Sequence, residues 1–319
     1  MEPAVKPARS GVDPQRELRV RAAWIYYVEG RTQNDVAEAL GLNRVAVTRL
    51  LSEARRRGEV SITVTSEIAG LVTLERQLER SFGLDRAIVA PLSDMAADAT
   101  PVIAAAAGRY ISQTVTPNMT VGVGWGRTLH ATLTHLEPRP IRNLRVVSLL
   151  GGIAEAKRFN PAEFAWRFAE CFDAEGFLVP APALVDSPAT RHSLLERCGI
   201  DQVFQMAEAS DVAFLSCGSI ASLTTSYRLG YVSEDERQSL IAAGAVGDLL
   251  YTFIDRTGRV VEHSINRRCM AIDLERLQRV RARVLLSGGA EKTEIILGAI
   301  AALRPTTLIT DEQTALRIL

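Results

Sequence analysis

From Arg86 to the C-terminus, short apolar runs alternate with helical stretches: RAIVAPL, VIAAAAGRYISQTV, MTVGVG, RTLHATLTHL and LRVVSLLGG, then DVAFLSCGS, VRARVLLSGG, EKTEIILGAIAAL and TTLIT. Strands separated by helix-length segments do not close hairpins with one another. The pattern therefore predicts an α/β domain, a parallel sheet covered by helices. At 319 residues the chain is long enough for this domain and a smaller one before it.

The preceding segment has a different rhythm. The first residues, with Pro3, Pro7, Gly11 and Pro14, read as a disordered leader over 1–13. A helical pattern then runs from Pro14, with Leu18, Ala22, Ile25 and Tyr26 on one face, to Gly30. Thr32 is placed to cap QNDVAEAL, which stops at Gly41, and Asn43 to cap RVAVTRLLSEARRR, which stops at Gly58. A β-prone run, EVSITVTS, closes the segment, giving expected domains of 14–66 and 67–319. Next comes LVTLERQLERSFG, an amphipathic helix that either packs on its own domain, links the domains or pairs with a second copy.

Counted from Gln33, Ala37, Gly41, Val47 and Leu50 fall at positions 5, 9, 15 and 18 of a helix-turn-helix unit. A small residue lets two helices cross closely, glycine supplies the turn, and the later apolar residues seal the shared core. Asn43, Arg44, Ala46, Thr48, Arg49 and Ser52 then point outward on the half of the second helix that enters the major groove, and Gln33 at the start of the first helix is a further candidate DNA contact. Arg44 and Arg49 suit guanine, and Asn43 suits adenine or phosphate; Arg55 and Arg56, with Arg57, suit phosphate. Charge agrees: residues 1–66 hold 11 basic against 8 acidic side chains although the whole chain is neutral. A solvated helix end rich in cations is the competing explanation.

Two glycine-rich turns follow strands. In MTVGVGWGRTL, Gly122, Gly124 and Gly126 lead into a helix opening with Arg127 and Thr128; in VLLSGGAEKTE, Gly288 and Gly289 precede Lys292, one of only three lysines. Backbone N–H groups and a positive helix end suit phosphate, although ordinary strand-to-helix turns use glycine too. Gly151 and Gly152, Ser187, and Gly218 after Cys217 also sit at expected strand ends, where open α/β sheets bind ligands. Asp248, after Gly-Ala-Val-Gly, is placed to accept from sugar hydroxyls or to serve a turn, whereas Asp255 beside Gly258 fits a turn. The scattered cysteines read as reduced, mostly buried thiols, the four histidines lack metal-ligand spacing, and no cofactor is implied. No apolar run reaches the ~18 residues of a membrane span, and the expected location is cytoplasmic.

Taken in order, the helix-turn-helix, GVGWGRTL, LLGG, SPATR, DVAFLSCGS, GAVGD, SGGAEK and LITDEQTA resemble the SorC (SorC/DeoR) family of sugar-responsive bacterial transcriptional regulators over essentially the whole chain. The resemblance implies an effector domain akin to phosphosugar isomerases, operator DNA and a phosphorylated sugar as partners, and a homo-oligomer, dimer or tetramer. By motif correspondence Gly124, Trp125, Gly126, Arg127, Thr128 and Lys292 would hold phosphate, and Asp248 and Leu250 would line the sugar end. Regulators of polyol catabolism form one branch that the starting segment resembles. Some members use a lysine Schiff base; Lys157 is left unassigned. An isomerase needs a general base near the carbon-bound proton, and SCGSIASLTTS offers neither carboxylate nor histidine. A large domain serving only as an assembly scaffold is the other alternative.

Overall fold

A computed structural model describes residues 13–61, 69–92, 98–153, 160–221 and 232–319 of the chain. Two units separate, Met1–Glu67 and Ile68–Leu319. The leader before Asp13, the end of EVSITVTS, the expected 66/67 boundary, Lys157 and the close of SCGSIASLTTS lie outside the described residues.

Capping chemistry sets the helix ends of the first unit. Asp13 accepts from the Gln15 N–H and Pro14 occupies the first turn of helix α1 (Pro14–Ala23). The helix continues as a π turn over Trp24–Val28 rather than as one α-helix to Gly30. That run is aromatic and β-branched, the side chains an α-turn restricts most. Thr32 and Asp35 form a reciprocal capping box at the start of α2 (Gln33–Leu40). Gly41, at φ +65°, turns the chain, and the Asn43 side chain accepts from the Ala46 N–H to start α3 (Arg44–Arg56). Ala22, Ala23, Val36, Ala37, Val47, Leu51 and Ala54 form the core, with Leu50 packed against it. A buried bidentate pair, Arg19 to Glu59 at 2.7 and 2.8 Å, ties α1 to the chain after α3.

In the second unit seven strands form one parallel sheet, in the order β1-β10-β9-β5-β2-β3-β4. They are β1 (Arg86–Ala90), β2 (Thr120–Val123), β3 (Arg145–Gly152), β4 (Glu175–Pro182), β5 (Val212–Leu215), β9 (Ala282–Leu286) and β10 (Thr307–Asp311). Period-two alternation sends Val212 and Phe214 to one core and Ala213 and Leu215 to the other, so both faces are covered. After β2 the chain adds strands on one side, and after β5 on the other, so the carboxyl ends of β2 and β5 flank a topological switch point.

The amphipathic helix, α4 (Ala69–Phe82), packs on its own domain. Leu71, Leu74 and Leu78 face the core, while Glu75 and Glu79 accept from the Val89 and Ala87 N–H groups of edge strand β1. Two carboxylates thus satisfy amides that an open sheet edge would expose.

A second sheet, antiparallel and three-stranded, consists of β6 (Cys217–Ser219), β7 (Gly247–Leu249) and β8 (Thr252–Ile254). The turn between β7 and β8 holds Leu250 and Tyr251 at φ +55° and +63°, conformations usually left to Gly or Asn. Among the described residues no helix is long and apolar enough to cross a membrane.

Candidate functional site

On the first unit, Arg44, Arg49 and Arg55 are exposed and have no acidic partner among the described residues. Arg56 does have one: with Arg57 it grips Glu53, and their hydrogen bonds pull that carboxyl down to about 2. Asn43 keeps less reading capacity than the sequence implied, because its Oδ1 caps α3 at 2.8 Å and two-point adenine recognition needs that oxygen. The Thr48 hydroxyl is likewise engaged, with Gln33 Oε1 and the Arg44 carbonyl each at 3.0 Å, so Gln33 and Thr48 brace the two helices together. Ala46 is half-buried rather than outward-facing. Val45, which sequence reasoning passed over, is 69% exposed.

On the second unit, the loop after β2 meets the loop after β5. The Gly124 N–H donates to the Phe214 carbonyl at 2.9 Å, and Gly126 lies beside Ser216 at φ +128°, a backbone conformation that favours glycine. Arg127 is exposed and Thr128 buried at the start of the helix Arg127–Thr132. The first bond of that helix runs from the His130 N–H to the Gly126 carbonyl. The amides of Arg127, Thr128 and Leu129 therefore have no acceptor within the helix.

Above this loop lies the small antiparallel sheet. The Trp125 indole stacks on the Tyr251 ring, centroids 4.7 Å apart and 13° from parallel. Gly124 leaves room for Leu250, whose Cδ2 would be 3.0 Å from an added Cβ. Asp248 pairs with Gly218 across β6 and β7 and accepts from the Tyr251 N–H at 3.0 Å. Burial pushes its carboxyl up to about 6, opposed by that hydrogen bond and by the Lys292 charge. Burial also raises the Cys217 thiol to about 11, again against Lys292; its sulfur donates to the Ser287 hydroxyl at 3.3 Å. Asp98 experiences both basic residues: burial lifts it, but bonds from Thr100 and the charges of Arg127 and Lys292 bring it below the usual range. Arg127 and Lys292, about 165 residues apart in sequence, thus act on one carboxylate.

Other sequence candidates have local duties. The Gly289 N–H is not bare: it donates to Asp311 Oδ2 and Thr314 Oγ1, both at 2.9 Å. The Gly151 N–H donates to the Met270 carbonyl, and a Cβ there would come within 2.4 Å of the Ala181 carbonyl oxygen. The Gly152 carbonyl accepts from the Ala183 N–H. Ser187 caps the helix Pro188–Arg197 through the Thr190 N–H. Asp255 accepts from the Thr257 and Arg259 N–H groups, the turn role the sequence implied. Of the cysteines, Cys217 and Cys269 are buried, Cys171 partly so, and Cys198 is exposed, which corrects the expectation of mostly buried thiols. Sequence reasoning gave no role to Tyr251, or to Ser287, Asp311 and Thr314 although the last three lie in the SGGAEK and LITDEQTA motifs; their partners come from distant segments of the chain.

The sugar-binding domain family (Sugar-bind) matches residues 66–319. The chain is 30% identical over 304 residues to the deoxyribonucleoside regulator of Bacillus subtilis, covering 94% of this chain and 96% of that protein. It is 31% identical over 308 residues to the erythritol catabolism regulatory protein EryD of Brucella abortus, covering 95% and 96%. Among solved structures, the full-length sorbitol operon regulator SorC of Klebsiella pneumoniae aligns with a TM-score of 0.69 at 26% identity, over 95% of this chain and 98% of that one.

Proposed function

Because this chain belongs to the SorC/DeoR-type family of transcriptional regulators and carries its sugar-binding domain, we propose that a phosphorylated sugar or polyol binds at the carboxyl ends of β2, β5 and β9 and sets the affinity of the first unit for operator DNA. The relatives named for deoxyribonucleosides, erythritol and sorbitol support carbohydrate or polyol catabolism as the controlled process. The cytoplasm, where operator and free sugar phosphate meet, is the place of action.

One observation carries the reading. The loop that carries Arg127 is joined to the end of β5 by the Gly124 N–H and Phe214 carbonyl at 2.9 Å, beside buried Asp248 opposite Gly218, and the charges of Arg127 and Lys292 both weigh on Asp98. In this reading the phosphate lies between Arg127, Thr128 and Lys292, assisted by amides at the helix start. Asp248, which has little solvent to hydrogen-bond, accepts from a sugar hydroxyl. The glycines 124, 126 and 218 keep backbone and carboxylate close to the ligand, Trp125 and Leu250 wall the site, and Gly151, Gly152, Ser187 and Gly289 support it from behind.

For control of DNA binding we propose a shift between arrangements of a homo-oligomer, dimer or tetramer. Half-site spacing must match the paired recognition helices, so an effector that prefers one arrangement changes operator affinity. Thermal melting of the full-length chain against hexose, pentose and polyol monophosphates, each beside its unphosphorylated form, tests the ligand class. Stabilisation by phosphorylated compounds alone is expected. Equal stabilisation by the unphosphorylated forms would remove the phosphate from the proposal.

A further inference from the structure

Among the described residues Val45 is the most exposed large hydrophobic side chain, at 69%. It is the second residue of α3, and its position has no structural explanation. The core of the first unit takes Val47 and Leu51 from this helix and leaves Val45 out. A β-branched residue also adds nothing to helix propensity at an exposed site.

Its neighbours define what it faces. Arg44 and Arg49 flank it without acidic partners among the described residues, so the local surface is positive and complements a polyanion. The polar groups expected to read bases beside it are engaged elsewhere: Asn43 Oδ1 caps α3, and the Thr48 hydroxyl bonds Gln33 and the Arg44 carbonyl. On the leading turns of the helix this leaves the two guanidinium groups and, as the exposed large apolar side chain, Val45. The major groove presents hydrogen-bonding edges and one apolar feature, the C5-methyl of thymine.

We propose that Val45 is a specificity-determining residue that packs its methyl groups against a thymine C5-methyl in each operator half-site. The assignment rests on the DNA-binding reading of the first unit. Arg44 and Arg49 supply hydrogen bonds to base edges and phosphates, and Val45 supplies the apolar discrimination that neither arginine can make.

Uracil isolates the contact, since it differs from thymine only by that methyl. Full-length wild-type protein first selects duplexes from a random library. The selected site is then remade with each thymine replaced singly by uracil, and binding of wild type and Val45→Ala is measured on each duplex. Wild type is expected to lose about fourfold in affinity at one thymine of each half-site, the value of one buried methyl group. Val45→Ala, which removes the contact in every half-site, is expected to lose about fourfold per half-site on the unmodified operator, about sixteenfold over two, and to be indifferent to uracil at those thymines. Its melting temperature should match wild type, because Val45 lies outside the core. The inference is overturned if Val45→Ala binds the site as well as wild type, or if every uracil penalty persists in the variant. If wild type selects no sequence at all, the DNA-binding reading falls, and this inference with it.

Discussion

Gly218 and Asp248 face each other across β6 and β7 so closely that a methyl group on Gly218 would sit 2.6 Å from Asp248 Oδ1. The absent side chain is what lets a buried carboxylate remain beside the switch point with its bond to the Tyr251 N–H. Gly218→Ala should push Asp248 out of place. Operator binding by the full-length variant should persist, while the concentration of stabilising sugar phosphate needed for a response rises by about tenfold. Fluorescence anisotropy of labelled DNA under sugar phosphate titration reads both quantities. An unchanged titration would mean that Asp248 does not meet the ligand.

Asp248 also gives a pH signature. Its folded value, about 6, lies above the ordinary 3.8 because burial disfavours the charge more than the Tyr251 N–H and Lys292 restore it. The folded state therefore holds the proton more tightly than the unfolded chain. The stability this contributes is complete below the unfolded pKa and is lost as pH rises through about 6. Asp248→Asn has no such loss, so its stability should gain on wild type as pH rises across that window, by up to about 3 kcal/mol. Denaturant melts at a series of pH values measure it. A difference independent of pH would contradict the assignment.

Glu53 restrains two of the five arginines between Arg44 and Arg57. Glu53→Gln should release Arg56 and Arg57 toward phosphate. Affinity for non-specific duplex DNA should then rise at low salt, and the slope of log affinity against log salt should steepen by about 1–2. An unchanged slope, measured by anisotropy, would show that the far end of α3 does not meet the backbone.

Much of this molecule was legible in sequence because the deciding interactions are local. Thr32, Gly41 and Asn43 mark helix ends through contacts within a few residues, and the helix-strand alternation from Arg86 encodes the parallel sheet. What stayed hidden depends on distant partners. The β7–β8 hairpin has strands of three residues and a turn at Leu250 and Tyr251, without the Asn-Gly signal such a turn usually carries. The Gly289 N–H looked available for phosphate because Asp311 and Thr314 reach it only once β9 and β10 pair. Thr48 is polar, exposed and well placed for bases, but sequence does not show that bracing against Gln33 has already used its hydroxyl. Whether α4 packs inward or outward was settled by Glu75 and Glu79 reaching the edge of β1.

The coupling of the sugar-phosphate site to DNA binding is tested most directly by operator affinity with and without a saturating stabilising sugar phosphate, in wild type, Arg127→Ala and Lys292→Ala. Wild type should change its operator affinity when the compound is added. Both variants should bind operator as wild type does without it and lose most of the response. Full responses in both variants, or no response in wild type to any compound that raises its melting temperature, would contradict control through this site.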